Sequence, residues 1–159
     1  MKILYMITDL DFGGAETQLM RMVHYVKEYT QDDVQVVSVI KSEYQGFIQE
    51  LNSIGVPFTS LDLKKNGNYF YAIKKYKKLL KDYQPDVIHT HMIHANLFAR
   101  VFKNTLPQSL LINTVHGEED FLGKRALLYR YTDNKADYTT CVSRALEKQM
   151  LAAGAVKKE

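Results

Sequence analysis

Short runs of β-branched and aliphatic residues alternate with amphipathic stretches along the whole chain, and no linker, repeat or shift in composition interrupts them. The runs at 2–8, 34–40, 57–61, 86–91, 110–115 and 138–142 read as strands. Several are apolar at successive positions, the pattern of strands buried on both faces. The stretches between them carry apolar residues at helical spacing. Leu19, Met22, Val23 and Val26 form one stripe, Phe47, Ile48 and Leu51 a second, and Tyr69, Ile73, Tyr76, Leu80 and Tyr83 a third. Gly55 stands where the second helix needs a left-handed residue to stop, and Ser143 where a last helix needs an N-cap. Strand and helix in steady order imply right-handed crossovers and an α/β fold. The sheet is expected to be doubly wound and mostly parallel with helices on both faces, and ligands gather beyond the carboxyl ends of such strands.

Composition narrows the class without changing the fold. A chain of 159 residues with 46% apolar and 25% charged residues is an ordinary globular chain of one domain, long enough to build a core without staples. Its single cysteine, Cys141, has no internal partner and reads as a small buried hydrophobe in a reducing compartment. The amino-terminal run has one positive charge and is too short for a secretory signal or a membrane span, so a cytoplasmic location is expected. Net charge is +3, yet seven lysines fall between 64 and 81. No zinc-finger, helix-turn-helix or RNP-like pattern accompanies them, which argues against nucleic acid as a partner.

Chemistry concentrates at the strand ends. Asp9-Leu10-Asp11-Phe12-Gly13-Gly14-Ala15-Glu16 follows the first strand and opens the first long helix. Its glycines either let a diphosphate approach the backbone amides or serve a tight turn. A nicotinamide site fits poorly. The Gly-x-Gly-x-x-Gly spacing is absent, and the second strand ends in Val39-Ile40-Lys41 without an acid for the ribose. The fourth strand ends His89-Thr90-His91, with His94 following. No carboxylate or cysteine completes a metal set, and His94 should turn away into a helix, so these imidazoles suit hydrogen bonding to hydroxyls, with His89 the one expected to be a core residue. His116 ends the fifth strand beside Gly117, where a neutral imidazole can donate to or accept from a sugar or cap the next helix.

Taken together, Gly13-Gly14-Ala15-Glu16, Pro85-Asp86-Val87-Ile88-His89-Thr90-His91, Thr114-Val115-His116-Gly117 and Val142-Ser143-Arg144-Ala145-Leu146 resemble, in order and spacing, the amino-terminal domain of group 1 (family 4) glycosyltransferases. These are two-domain GT-B enzymes, and the resemblance covers essentially the whole chain. It implies a Rossmann-like, acceptor-side half of a retaining transferase that moves a sugar from a nucleotide-sugar to a glycan or lipid-linked acceptor in surface polysaccharide synthesis. Gly13 and Gly14 would then face the donor diphosphate and His116 the donor sugar and reacting centre, with His91, Glu118 and Arg144 as acceptor-side or cleft-lining positions. The carboxyl-terminal donor-clamping domain is expected to be absent from residues 1–159, with 154–159 leading towards it, so this half alone should be inactive. The family implies no metal and no cofactor, the nucleotide-sugar being a substrate. Family acceptor domains that meet lipid-linked substrates carry basic patches, which makes Lys74, Lys75, Lys77, Lys78 and Lys81, extended by Lys64 and Lys65, candidates for an anionic membrane surface. The alternatives are one half of a GT-B-like nucleotide-sugar epimerase, for which Glu118 with Glu119 is the available carboxylate pair, and a stand-alone binding module.

Overall fold

The computed structural model describes residues 1–64 and 67–156. Lys65, Lys157, Lys158 and Glu159, which enter the lysine patch and the carboxyl-terminal expectation above, lie outside the described residues. In chain order the elements are β1 (Lys2–Ile7), α1 (Gly14–Tyr29), β2 (Asp33–Ser38), α2 (Gln45–Ser53), β3 (Phe58–Ser60) and α3 (Tyr69–Tyr83). They continue with β4 (Val87–His91), α4 (Ile93–Val101), β5 (Leu110–Val115), α5 (Lys124–Thr132), β6 (Tyr138–Cys141) and α6 (Arg144–Ala152). The strands form one sheet in the order β3-β2-β1-β4-β5-β6, and every neighbouring pair is parallel. All six expected strands are present. β2 ends early at Ser38, although the Val39 and Ile40 amides still donate to the Ile7 and Thr8 carbonyls.

Strand alternation divides the core in two. Leu4, Met6, Val37 and Val39 join Ala72, Tyr76, Leu80 and Tyr83 of α3 and Ala95 and Ala99 of α4. Ile3, Tyr5, Ile7, Val34 and Val36 join Leu19, Met20 and Val23 of α1 and Phe47 and Leu51 of α2 on the other face. Both faces of the central strands are thus covered, and successive apolar residues are their expected sequence. Tyr69 departs from its expected stripe: it is the first residue of α3 and is 53% exposed. Gly55 is left-handed (φ +68°) and the Val56 amide returns to the Leu51 carbonyl, while Ser143 Oγ accepts from the Leu146 amide. α5 was not legible in the sequence. Its apolar residues surround the helix, with Ala126 and Tyr129 buried and Leu127, Leu128 and Tyr131 exposed.

β1 and β4 are adjacent in the sheet, and the chain runs outward from them in opposite directions. This is the topological switch point, where the loops leaving neighbouring strands diverge and open a crevice at their carboxyl ends.

Candidate functional site

Two loops meet beside this crevice. The β1–α1 loop is tied down by Ser42, whose Oγ accepts from the Leu10 amide at 2.6 Å, and by Asp11, whose Oδ1 accepts from the Glu43 and Tyr44 amides at 2.7 and 2.9 Å. Phe12, 78% exposed, stacks on Phe47 and meets the edge of Tyr44. Gly13 is the N-cap of α1 with extended backbone (φ −167°), and Gly14 is its first helical residue. Neither needs glycine's dihedral freedom, which removes the tight-turn reading. What differs is space: a Cβ on Gly13 would meet the buried Glu16 carboxylate, whereas one on Gly14 would meet nothing within 4 Å. Gly14 therefore leaves an open approach to the first turn of α1, where amide N–H groups have no helical partner. A shallow groove continues along Thr17 and Gln18 to Arg21, a cation that the sequence did not single out.

On the other side of the crevice the imidazoles gather, though not in the expected set. His89 and His91 share a face of β4, and His116, just beyond β5, joins them. The His89 and His91 ring centroids are 4.5 Å apart, and those of His91 and His116 are 5.2 Å apart. His94 departs into α4 as foreseen and is exposed. His91 Nδ1 lies 2.9 Å from His116 Nε2, and His89 Nε2 lies 2.8 Å from Thr114 Oγ1. His91 corrects the expectation that it lines the cleft: it is fully buried, because the inward side of β4 is covered there. His91, not His89, is therefore the core histidine: His89 is only partly buried, although its Nε2 is satisfied by Thr114 as expected. Among the described residues no group of three or more His, Cys, Asp or Glu is arranged to hold a metal.

The residue that positions this corner is Asp120, which the sequence did not reveal. Its Oδ2 accepts from the His116 amide and its Oδ1 from the Ile93 amide, both at 3.1 Å, so one buried carboxylate joins the exit of β5 to the start of α4. Burial pushes its carboxyl above the ordinary range despite these bonds. Between them, Met92 holds a positive φ of 70°, a strained conformation for a large side chain, at the turn from β4 into α4. Glu118 is exposed on a single 3-10 turn (Glu118–Asp120), where its Oε1 accepts from Gln149 Nε2 of α6, the helix that Arg144 begins. Arg144 is exposed. Cys141 is half-buried against Met150, and burial raises its thiol, as suits an inert residue.

Buried imidazoles make stability depend on pH. Burial holds His89 down to about 4, and holds His91 and His116 below the ordinary value as well. The unfolded chain takes up these protons from about pH 6.5 downward, whereas the folded chain does so only at lower pH. The unfolded state thus binds more protons in that window, so the stability present above about pH 6.5 is lost as pH falls through the folded values. His89 alone accounts for about 3 kcal/mol by pH 4. The raised carboxyls of Asp9, Glu16 and Asp120 act in the opposite direction, so the net fall is smaller. Urea unfolding should give a lower midpoint near pH 5 than near pH 7, and His89→Asn should narrow that difference. A midpoint that does not fall between these pH values would contradict the assignment.

A glycine-opened helix start and a strand-end imidazole pair flank the switch point of a six-stranded parallel sheet, which places the molecule among Rossmann-like α/β domains of the kind paired in GT-B proteins. The chain belongs to Glycosyltransferase Family 4, whose family model matches residues 12–159. Among solved structures, the apo form of the lipopolysaccharide outer core galactosyltransferase WaaB is similar with a TM-score of 0.70 at 16% identity, over 97% of this chain and 43% of its own. HepE from Anabaena, in complex with UDP and glucose, matches with a TM-score of 0.70 at 19% identity, over 97% of this chain and 41% of its own. The UDP-GlcNAc 2-epimerase from Methanocaldococcus jannaschii matches with a TM-score of 0.65 at 13% identity, over 97% of this chain and 43% of its own. This chain thus spans less than half the length of each, and has the fold of one half of a GT-B protein. No curated protein matches the sequence significantly.

Proposed function

We propose that this domain is the acceptor-side half of a retaining glycosyltransferase, which moves a sugar from a nucleotide-sugar to a glycan or lipid-linked acceptor in surface polysaccharide synthesis. The observation that carries this reading is the pairing of an open helix start at Gly14 with the part-exposed imidazole of His116 across the switch point of a family 4 domain. The diphosphate would approach the α1 amides with no Cβ in the way, and His116 would meet the donor sugar. Charge developing on the departing diphosphate is then stabilised by fixed dipoles, with no metal and no cofactor in the step. The cationic clamp for that diphosphate belongs to the donor-binding half, so residues 1–159 alone should bind nucleotide-sugars weakly and transfer nothing.

A panel of nucleotide-sugars with a protein carrying both halves tests this. Transfer from at least one donor is expected, and Gly14→Val, which fills the open approach with a branched side chain, should abolish donor binding while the fold persists. Donor affinity unchanged in Gly14→Val would overturn the placement. The similarity to epimerase structures supports a second reading, conversion of a nucleotide-sugar to its 2-epimer. Glu118 and Glu119 serve it poorly, since both are exposed and Glu118 is engaged by Gln149. An epimerised donor formed without acceptor would favour it.

A lipid-linked acceptor would bring the domain to a membrane surface, and α3 carries the lysines for it. Lys75 pairs with Asp62 at 3.3 Å and Lys78 with Asp82 at 2.5 Å, which spends their charge locally. Lys74, Lys77 and Lys81 are exposed on one side of the helix without an ion pair among the described residues. No helix among the described residues is long and apolar enough to cross a membrane. At about 1 kcal/mol for each lysine near anionic lipid, three together give reversible, salt-sensitive docking. In sedimentation with phosphatidylserine-containing vesicles at low salt, changing Lys74, Lys77 and Lys81 to Gln should remove binding, whereas changing Lys75 and Lys78 should weaken it little. Equal binding by all three proteins would refute the patch.

A further inference from the structure

Two neutral imidazoles that share one hydrogen bond can place its proton in only two ways, and the surroundings of His91 separate them. His91 Nδ1 lies 2.9 Å from His116 Nε2. The His91 ring is fully buried, flanked by His89 and by Tyr5 with centroids at 4.5 and 6.3 Å, and its other nitrogen, Nε2, has no hydrogen-bond partner among the described residues. Burial keeps both rings neutral near pH 7, and the rings of His89 and His116 push His91 the same way. If His116 donated from Nε2, His91 would accept at Nδ1 and carry its own proton on Nε2, an N–H sealed from water with no acceptor. If His91 donates from Nδ1, its Nε2 is bare and only a lone pair goes unused. Orphaned buried N–H groups are rarer than under-used buried acceptors, so the second arrangement prevails. His116 must then hold its proton on Nδ1, since its Nε2 is occupied as an acceptor. That nitrogen makes no hydrogen bond among the described residues, and His116 is part-exposed.

We infer that His91 is a positioning residue that fixes His116 as its Nδ1–H tautomer, so that the site presents a neutral hydrogen-bond donor, not a base, to an oxygen of its ligand. The tautomer stands on the two histidines alone, while its use towards a sugar oxygen rests on the function proposed above. It also gives a buried histidine, which cannot touch substrate, a defined part in the site. The fit to the proposed chemistry is direct: a donor can stabilise charge gathering on a sugar or phosphate oxygen, whereas a bare nitrogen would repel it.

Imidazole proton–nitrogen correlation spectra of the 159-residue chain near pH 7, without ligand and with resonances assigned through single His→Asn variants, test this independently of any sugar transfer. Both His91 and His116 should show a protonated Nδ1 and a bare Nε2. In His91→Asn the side-chain amide still donates from nearly the Nδ1 position, so His116 should keep its Nδ1 proton. In His91→Leu no donor remains, and His116 should lose its single tautomer, with Nε2 becoming protonated in a substantial share of molecules. A proton on Nε2 of either ring in the unaltered chain would overturn the inference. So would a His116 that stays wholly Nδ1–H in His91→Leu.

Discussion

Turnover should fall about a hundredfold or more when His116 is replaced by alanine in a protein competent for sugar transfer, a loss of about 2.7 kcal/mol of transition-state stabilisation. The size follows from the proposed role: one fixed donor aimed at developing charge contributes on this scale. Folding should survive, because the position is held by its backbone. The His116 amide is bound by Asp120 whatever side chain it carries, and truncation leaves the buried His91 N–H without its acceptor, a loss of about 1–3 kcal/mol that a domain of ordinary stability survives. The decisive comparison is turnover per folded molecule, with folding followed by circular dichroism. Wild-type turnover in a destabilised protein would mean that His116 only supports the loop. A drop in kcat with KM little changed would place its contact in the transition state.

The largest loss of stability is expected at Arg100, for which Arg100→Leu should cost about 4 kcal/mol. Arg100 is fully buried, and its guanidinium serves four acceptors: Asn113 Oδ1 at 2.5 Å, the Tyr129 carbonyl at 3.1 Å, Thr132 Oγ1 at 3.3 Å and Thr139 Oγ1 at 2.7 Å. It also lies over the Tyr129 ring, 4.7 Å from the centroid. The bonds continue inward. Asn113 Nδ2 donates to Thr90 Oγ1, which donates to Asn96 Oδ1, and Asn96 Nδ2 donates to the Thr114 carbonyl and to the Tyr129 hydroxyl. One cation thus ties α4, α5, β5 and β6 together under the imidazole corner. Leucine would fill part of the volume but leave several buried acceptors without a donor, each costing about 1–3 kcal/mol before relaxation. For a domain whose total stability is roughly 5–15 kcal/mol, that is a large fraction, and the melting temperature should drop by about 10 °C. Arg100→Lys should lose less, since an ammonium satisfies some acceptors but cannot span the planar set. Urea unfolding with an unchanged m-value measures the difference. A loss below about 1 kcal/mol for Arg100→Leu would show that the network is dispensable.

The strands and three of the helices were legible because their information is local. Both-face burial writes a continuous apolar run into β1 and apolar-rich runs into β2 and β5, and a single buried stripe writes the helical spacing of α1, α2 and α3. The left-handed Gly55 and the Ser143 cap act within a few residues of themselves. The position of the candidate site was partly legible as well, since motifs at strand ends must lie at one edge of a parallel sheet. Gly13, Gly14 and His116 could be singled out on that ground.

What the linear pattern could not carry were relations between distant residues. α5 was invisible because Leu127, Leu128 and Tyr131 are exposed and blur its single buried side. That His91 is sealed in, that it meets His116 rather than His94, and that Asp120 bridges the exit of β5 to the start of α4 follow from the adjacency of β4 and β5, which depends on sheet order. Arg100 reads in sequence as one more charge on a helix, and only the third dimension surrounds it with acceptors. The lysines of α3 were visible as a cluster, but Asp62, far along the chain from Lys75, decides which of them keep their charge free. Periodicity and turn chemistry are properties of neighbouring residues and can be read one window at a time. Hydrogen-bond partners, tautomers and unpaired charges are properties of pairs, and the pairs exist only once the sheet has brought the strand ends together.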